Sequence, residues 1–418
     1  MWYNCPMENI PFSRPFTGKE EEDAVLAVLR SGWLTTGKET LEFEKEFAAF
    51  LNRDGGGELY CMAVNSATSG LHLALEACGV AQGDLVLVPS LTFTATAEVA
   101  RYLGAEAVFV DSVKDGYNMD AAALERTLKR LSGGLPAYPP RGSSGEGFGP
   151  RGRAAAVIPV HYGGLPCDMK AICEIAEKYG IKVIEDAAHS FPSQVNGGLE
   201  PPQYAGTIGD AGVFSFYATK TITTGEGGMV VTRNKAIADR VKIMRSHGID
   251  RSVWNRYTDT KASWYYEVVA PGFKYNIPDI LSALGRVQLR RALDLLVMRK
   301  ELARRYDEAF SGDSRFIIPP TGTGDARHLY PLRLAGEKLI RRRDEFAAKM
   351  QERGIGISVH FIPLHIMPYY KERYALEEND FPQAVKTFSQ SISLPLWPGM
   401  TEAQINRVVT AAKTIANE

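Results

Sequence analysis

Long apolar runs are missing from this sequence: nowhere do about 18 apolar residues follow one another, the length a bilayer-spanning helix needs. No such helix is expected, and no membrane partner. The opening stretch, Met1 to Ser13, is polar and proline-containing and lacks the apolar centre of a secretion signal. An excess of charge is missing too. The formal net charge of -1 provides no global field to draw in nucleic acid or anionic lipid. Any anion site must therefore be built locally. Cysteine is scarce: Cys5, Cys61, Cys78, Cys167 and Cys173 are odd in number and scattered. Their spacing fits neither a zinc site nor a disulfide framework. Free thiols in a reducing cytoplasm, and no metal, are the expectation. Internal repeats are also lacking.

What is present is an ordinary globular balance, 45% hydrophobic and 23% charged residues over 418 positions, enough for a large domain and a smaller one. Between about 60 and 245, short apolar runs alternate with helical patterns. The strand candidates are Tyr60–Val64, Leu85–Pro89, Ala107–Val110, Ala155–Val160, Lys182–Ile184, Val213–Phe216 and Met229–Thr232. Helices are expected at Ser69–Cys78, Ala95–Leu103, Met169–Tyr179 and Lys235–Arg245. Continuous apolar strands joined by helices imply a mainly parallel α/β/α sheet with its ligands at the carboxyl ends of the strands. Gly133–Arg153, rich in Gly, Pro and Ser, has no periodic apolar face and is expected as a mobile surface insertion. Ile280–Glu308 reads as one long helix leading into a second domain. There His328–Leu334 and Gly356–Phe361 are expected as strands, Arg341–Arg353 and Glu402–Ala416 as helices.

Chemistry-bearing residues gather after the strands. Phe214–Lys220 runs from a buried strand into a turn, followed by Thr223-Thr224-Gly225-Glu226-Gly227-Gly228. Alone, such a lysine is ordinarily a solvated surface group. With its pKa depressed by its surroundings, Lys220 is a Schiff-base nucleophile. The glycines allow close backbone approach to a bound group, and Ser215 offers a hydroxyl to a phosphate. Val183-Ile184-Glu185-Asp186 delivers Asp186 to the sheet edge, where a carboxylate can keep a pyridine nitrogen protonated; an ordinary turn cap is the alternative. His189 follows three positions later, near a cofactor or as a satisfied structural histidine. Val64–Leu71 places small residues at a helix start, suited to a phosphate or simply to capping. Phe93, past a strand end, is a ring stacker or a core residue. Each feature is weak alone. Together they are the parts that pyridoxal phosphate requires.

The ordered series Ser31-Gly32-Trp33-Leu34-Thr35-Thr36-Gly37, Asn65–Gly70, Pro89–Thr96, Pro159-Val160-His161-Tyr162-Gly163, Glu185–Ser190, Ser215–Gly228, Arg245-Ser246-His247-Gly248, Tyr275-Asn276-Ile277-Pro278-Asp279 and Gly354–Phe361 resembles the DegT/DnrJ/StrS aminotransferases over nearly the whole chain. Pro11–Pro15, Gly272–Asn276 and Arg353–Gly356 are similar to the UDP-4-amino-4-deoxy-L-arabinose branch. The resemblance implies a type I pyridoxal-phosphate transferase fold: a mainly parallel seven-stranded sheet between helices in residues 1–285, then a smaller α+β domain in 286–418. It implies transamination of a nucleotide-linked keto sugar, UDP-4-keto by closeness, with L-glutamate as donor.

It also implies roles for individual residues. Lys220 would carry the cofactor and shuttle the proton. Asp186 would pair with the ring nitrogen, Phe93 would stack, and His189 would lie nearby. Ala67, Thr68 and Ser215 would bind the phosphate. Asn276 would reach the neighbouring subunit's cofactor phosphate in a homodimer, although many relatives carry Arg at that position. Thr36, His360 and His365 are further candidates for substrate contacts. Three alternatives stay open: a non-sugar cyclic ketone as acceptor, a pyridoxamine-phosphate sugar dehydratase, and a non-catalytic regulatory relative. Lys220 argues against the dehydratase, whose relatives carry histidine there. A regulator would be marked by a DNA-binding appendage or basic patch, and neither is visible.

Overall fold

The apolar runs read from the sequence do form one sheet. Its strands are β1 (Tyr60–Val64), β2 (Leu85–Pro89), β3 (Glu106–Val110), β4 (Ala154–Val157), β5 (Lys182–Asp186), β6 (Ala211–Ser215) and β7 (Gly228–Thr232). The computed structural model describes residues 9–53, 55, 57–141, 145–195, 203–250, 265–322 and 324–418; Cys5 lies outside them. The seven strands run in the order β1-β7-β6-β5-β4-β2-β3. β3, β2, β4, β5 and β6 pair in parallel, joined by crossovers. β7 is antiparallel to both β6 and β1. The loop Phe216–Gly227 contains no helix, so the chain turns straight back beside β6. β4 stops short of the expected Val160 because Pro159 has no N–H for the ladder. The chain still runs alongside, with Ile158 N donating to Leu87 O (2.8 Å) and Asp186 N to Pro159 O (2.8 Å).

The helices α1 (Lys19–Ser31), α2 (Lys38–Leu51), α3 (Ala67–Ala77), α4 (Ala95–Tyr102), α5 (Ala121–Ser132), α6 (Met169–Tyr179) and α7 (Lys235–Met244) flank the sheet. The long pattern after 280 is two helices, α8 (Asp279–Arg290) and α9 (Ala292–Phe310), parted at Arg291. α8 packs on α1 and α2. Asp279 fastens that corner: its carboxylate accepts from Gly37 N (2.7 Å), Glu39 N (3.1 Å) and Thr40 N (3.0 Å), the free amides of the first turn of α2.

A separate apolar cluster holds Ile10, Tyr306, Phe310, Tyr330, Leu332, Phe346, Ile392 and Val408. It is built on a three-stranded antiparallel sheet, Phe316–Ile317, Tyr330–Leu334 and Ser391–Leu394, with helices Arg343–Glu352 and Glu402–Ile415. The helix expected at Arg341–Arg353 forms at Arg343–Glu352, preceded by a short helix, Glu337–Arg341. Gly356–Phe361, expected as a strand, pairs only at Ser358 with Ser393. Its backbone is committed instead to the N-terminal segment, with Gly356 N donating to Ile10 O (2.8 Å). A Cβ on Gly356 would stand 2.5 Å from Phe12 N, so this crossing requires glycine.

The Gly133–Arg153 insertion is more tightly engaged than its composition suggests. Ala137 and Tyr138 are buried. The Tyr138 hydroxyl accepts from Phe109 N at 2.8 Å, and the Tyr374 hydroxyl accepts from Ala107 N at 3.1 Å, both on the edge strand β3. Arg141 grips Asp380 through two hydrogen bonds (3.1 and 2.6 Å) and covers the Phe148 ring. A few specific side chains, Tyr138 and Arg141 among them, rather than a periodic face, attach the segment.

Candidate active site

The loops after β1, β2, β4, β5 and β6 open into one cavity of about 600 Å³. Lys220 reaches it from the turn after β6. Lys220 N donates to Tyr217 O (2.9 Å), and Thr224 N to Phe216 O (2.9 Å), closing the turn. Burial pushes the Lys220 amine down to about 8, against the opposing pull of Asp186. Asp186 ends β5 and is buried. Its Oδ2 accepts from the Thr96 hydroxyl (2.8 Å) and its Oδ1 from Ala188 N (3.1 Å). Burial raises its pKa, while Thr96, Ala188 and Lys220 oppose the rise. His189 lines the same space; Gly163 N donates to its Nδ1 at 3.3 Å. Burial, then the charges of Lys220 and His360, hold His189 neutral.

The start of α3 supplies an anion cradle. Ser66 caps only Ser69 N (3.1 Å), so the amides of Ala67 and Thr68 have no intrahelical acceptor. Ser215 lies opposite, and β7 passes so close that a Cβ on Gly228 would stand 2.7 Å from Ser66 C and 2.8 Å from Ala67 N. Phe93 presents a large exposed ring to the cavity, 5.8 Å from the Phe361 ring. From the C-terminal unit come His328, Ser358, His360 and Phe361; from the N-terminal segment come Phe12 and Ser13.

Residues 15–413 match the model of the DegT/DnrJ/EryC1/StrS aminotransferase family. The chain belongs to that family. It is 40% identical over 410 residues to the spore coat polysaccharide biosynthesis protein SpsC of Bacillus subtilis strain 168, covering 97% of each. Spr1654 from Streptococcus pneumoniae, in its pyridoxamine-phosphate form, superposes with a TM-score of 0.84 at 30% identity, over 98% of this chain and 99% of that one. Helicobacter pylori PseC, an aminotransferase of pseudaminic acid biosynthesis, superposes with a TM-score of 0.83 at 27% identity, over 98% and 100%.

Membership makes the chain a pyridoxal-phosphate-dependent aminotransferase. The residues present fit that cofactor: an anion cradle, a partly satisfied carboxylate and a desolvated amine share one cavity. Among the described residues no helix is long and apolar enough to cross a membrane. No group of three or more His, Cys, Asp or Glu among them could hold a metal ion.

Of the residues singled out in this DegT/DnrJ/EryC1/StrS sequence, Ala67, Thr68, Phe93, Asp186, His189, Ser215, Lys220 and His360 line the cavity. Thr36, Asn276 and His365 do not. Asn276 Nδ2 donates to Thr36 Oγ1 (2.6 Å), which donates onward to Ile277 O (2.5 Å). His365 is fully buried between the Ser90 hydroxyl (2.5 Å) and Glu378 O (3.2 Å), a brace rather than part of the wall.

Sequence reasoning passed over Thr96 and His328. The four-residue spacing of Thr92 and Thr96, whose hydroxyls meet at 2.8 Å, was the available signal for the first. For His328 there was none, because the strand pattern around it is apolar. Glu185 was also missed. It is fully buried and accepts from Gly206 N (2.8 Å), Ile208 N (2.7 Å), Gly209 N (2.8 Å) and His161 Nε2 (2.9 Å). It anchors the end of β5 beside Asp186.

Proposed function

We propose that this enzyme transfers the amino group of L-glutamate to the carbonyl carbon of a sugar carried on a nucleoside diphosphate, with a UDP-linked 4-keto sugar as acceptor. The observation that carries the reading is the shared cavity of Lys220, its amine depressed to about 8, and the buried carboxylate of Asp186. The coat-polysaccharide role of SpsC and the pseudaminic acid role of PseC support a sugar acceptor.

Bound pyridoxal phosphate supplies an aldehyde carbon and an electron-withdrawing ring. Lys220 Nζ would hold the cofactor through that carbon, and its amine would carry a proton to and from Cα of the amino donor. Asp186, kept in place by Thr96 and the Ala188 amide, would hold the proton on the ring nitrogen. Phe93 would lie against the ring, with His189 nearby. The amides of Ala67 and Thr68 and the Ser215 hydroxyl would bind the phosphate. His360 contacts substrate. Asn276, held by Thr36, serves the neighbouring subunit's site in a cytoplasmic homodimer; His365 acts only through the wall it braces.

The test is a panel of UDP-, dTDP- and GDP-linked keto sugars incubated with glutamate and read by mass spectrometry. Amination of a UDP-4-keto sugar is expected. Exclusive use of a dTDP-3-keto sugar would overturn the acceptor assignment.

A further inference from the structure

His328 sits on closely held backbone. Arg327, just before it, adopts φ +48°, a left-handed conformation that costs a residue with a side chain about 1 kcal/mol or more. It is held there by Arg327 N donating to Asp325 Oδ1 (2.7 Å) and by an ion pair with Asp307. His328 N donates to Gly163 O (2.8 Å). Its carbonyl accepts from Arg299 (3.4 Å), a buried guanidinium that also binds Leu396 O (3.0 Å). The imidazole lies against His189, ring centroids 4.7 Å apart.

All this restraint presents a ring that is itself unsatisfied. His328 Nδ1 is buried without a hydrogen-bond partner. Nε2 has no partner either, is not closed off in the same way, and belongs to a residue lining the cavity. The buried nitrogens of a histidine kept for packing are ordinarily satisfied; His72 Nε2 is likewise unpartnered, but His72 does not line the cavity. The neighbours differ. His189 Nδ1 accepts from Gly163 N, which fixes the proton on Nε2 and makes that nitrogen a donor only. His360 Nδ1 meets the Ser393 hydroxyl at 2.9 Å. Nothing on the protein side decides which nitrogen of His328 carries its proton. Burial and the surrounding positive groups keep the ring neutral, so Nε2 can either donate or accept.

The proposed transamination brings two unlike substrates into one cavity, an amino acid with acceptor-only carboxylates and a sugar whose hydroxyls do both. No arginine among the described residues lines that cavity. We propose that His328 is a substrate-orienting residue in both half-reactions, its Nε2 donating to a carboxylate oxygen of the amino donor and exchanging donor and acceptor roles with a hydroxyl of the sugar. The ring gains and loses no net proton; only its tautomer changes. This rests on the functional reading above.

The test uses the holoenzyme and its His328→Phe and His328→Gln variants. Cofactor affinity is followed by absorbance, each half-reaction separately by stopped flow, and the imidazoles by ¹⁵N NMR. Both variants should bind cofactor as the parent does. His328→Phe should slow both half-reactions roughly 10-fold or more, the worth of one lost polar contact, and His328→Gln, with a donor and an acceptor, should recover much of the loss. In the parent, His189 should show a single tautomer and His328 a mixture that resolves when L-glutamate or the sugar binds. Unchanged half-reactions in His328→Phe, parallel loss of cofactor in both variants, or one fixed tautomer at His328 throughout would each overturn the proposal. If the acceptor proves not to be a sugar, the functional reading falls. The two variants, assayed on the true acceptor, and the NMR still decide the role of His328.

Discussion

The hydroxyl of Thr96 donates to Oδ2 of Asp186 at 2.8 Å, joining the first turn of α4 to the last residue of β5. Burial drives the carboxyl toward its neutral form, and this bond opposes it. Thr96→Val should keep the fold and lower turnover roughly 10- to 100-fold, the scale of a hydrogen bond to a charged group. Steady-state rates and a cofactor titration check it; an unaltered rate would leave Asp186 independent of its neighbour.

Lys220→Ala should abolish turnover while the protein still binds pyridoxamine phosphate, since the anion cradle and Asp186 are untouched. Near-normal rates would remove the lysine from the mechanism. Borohydride reduction followed by peptide mapping offers an independent check, with the label expected on Lys220.

The depressed lysine sets a pH dependence. An amine lowered from 10.5 to about 8 is mostly neutral above about pH 8 and mostly protonated below it. The rate of cofactor capture by the apoenzyme should therefore rise through pH 8 and level off above it. A rise centred near 10 would show that burial does not perturb Lys220.

Gly228→Ala should weaken cofactor binding. The added methyl meets the backbone at Ser66 and Ala67, which cannot swing aside as a side chain can. Displacing it costs about 1–3 kcal/mol, read as a loss in cofactor affinity and in Tm. Unchanged affinity would mean that the cradle tolerates that shift.

How far the sequence was legible follows from what each element depends on. β2 and α6 were read to the residue because local patterning alone specifies them: Leu85–Pro89 is apolar throughout, and Met169–Tyr179 lies between an Asp cap and a Gly stop. Lys220 and Asp186 could be read as cavity residues because Asp186 ends one buried strand and Lys220 sits in the turn after another. The break at Arg291 was not legible, since it carries no Gly or Pro signal and tertiary packing decides it. Gly356–Phe361 misled because its β-like texture serves contacts with residues some 350 positions away in the chain, Ile10 and Phe12. His328 stayed hidden because an imidazole's surroundings, not its sequence neighbours, determine what it faces.

Tyr138→Phe tests the insertion. It removes the acceptor for a buried strand amide, Phe109 N, and should cost about 1–3 kcal/mol of stability with little effect on kcat. A denaturant melt beside a rate measurement separates the two; no change in the melt would mean that the segment is only loosely attached.

The two tyrosine hydroxyls on Ala107 and Phe109 have a broader effect. Open sheets end in strands whose unused amides recruit other chains, the route to swapped or fibrous assemblies. Here phenolic oxygens from Tyr138 and Tyr374 already occupy two N–H groups of the outermost strand, so the insertion and the C-terminal part of the chain together shield that edge from an incoming strand.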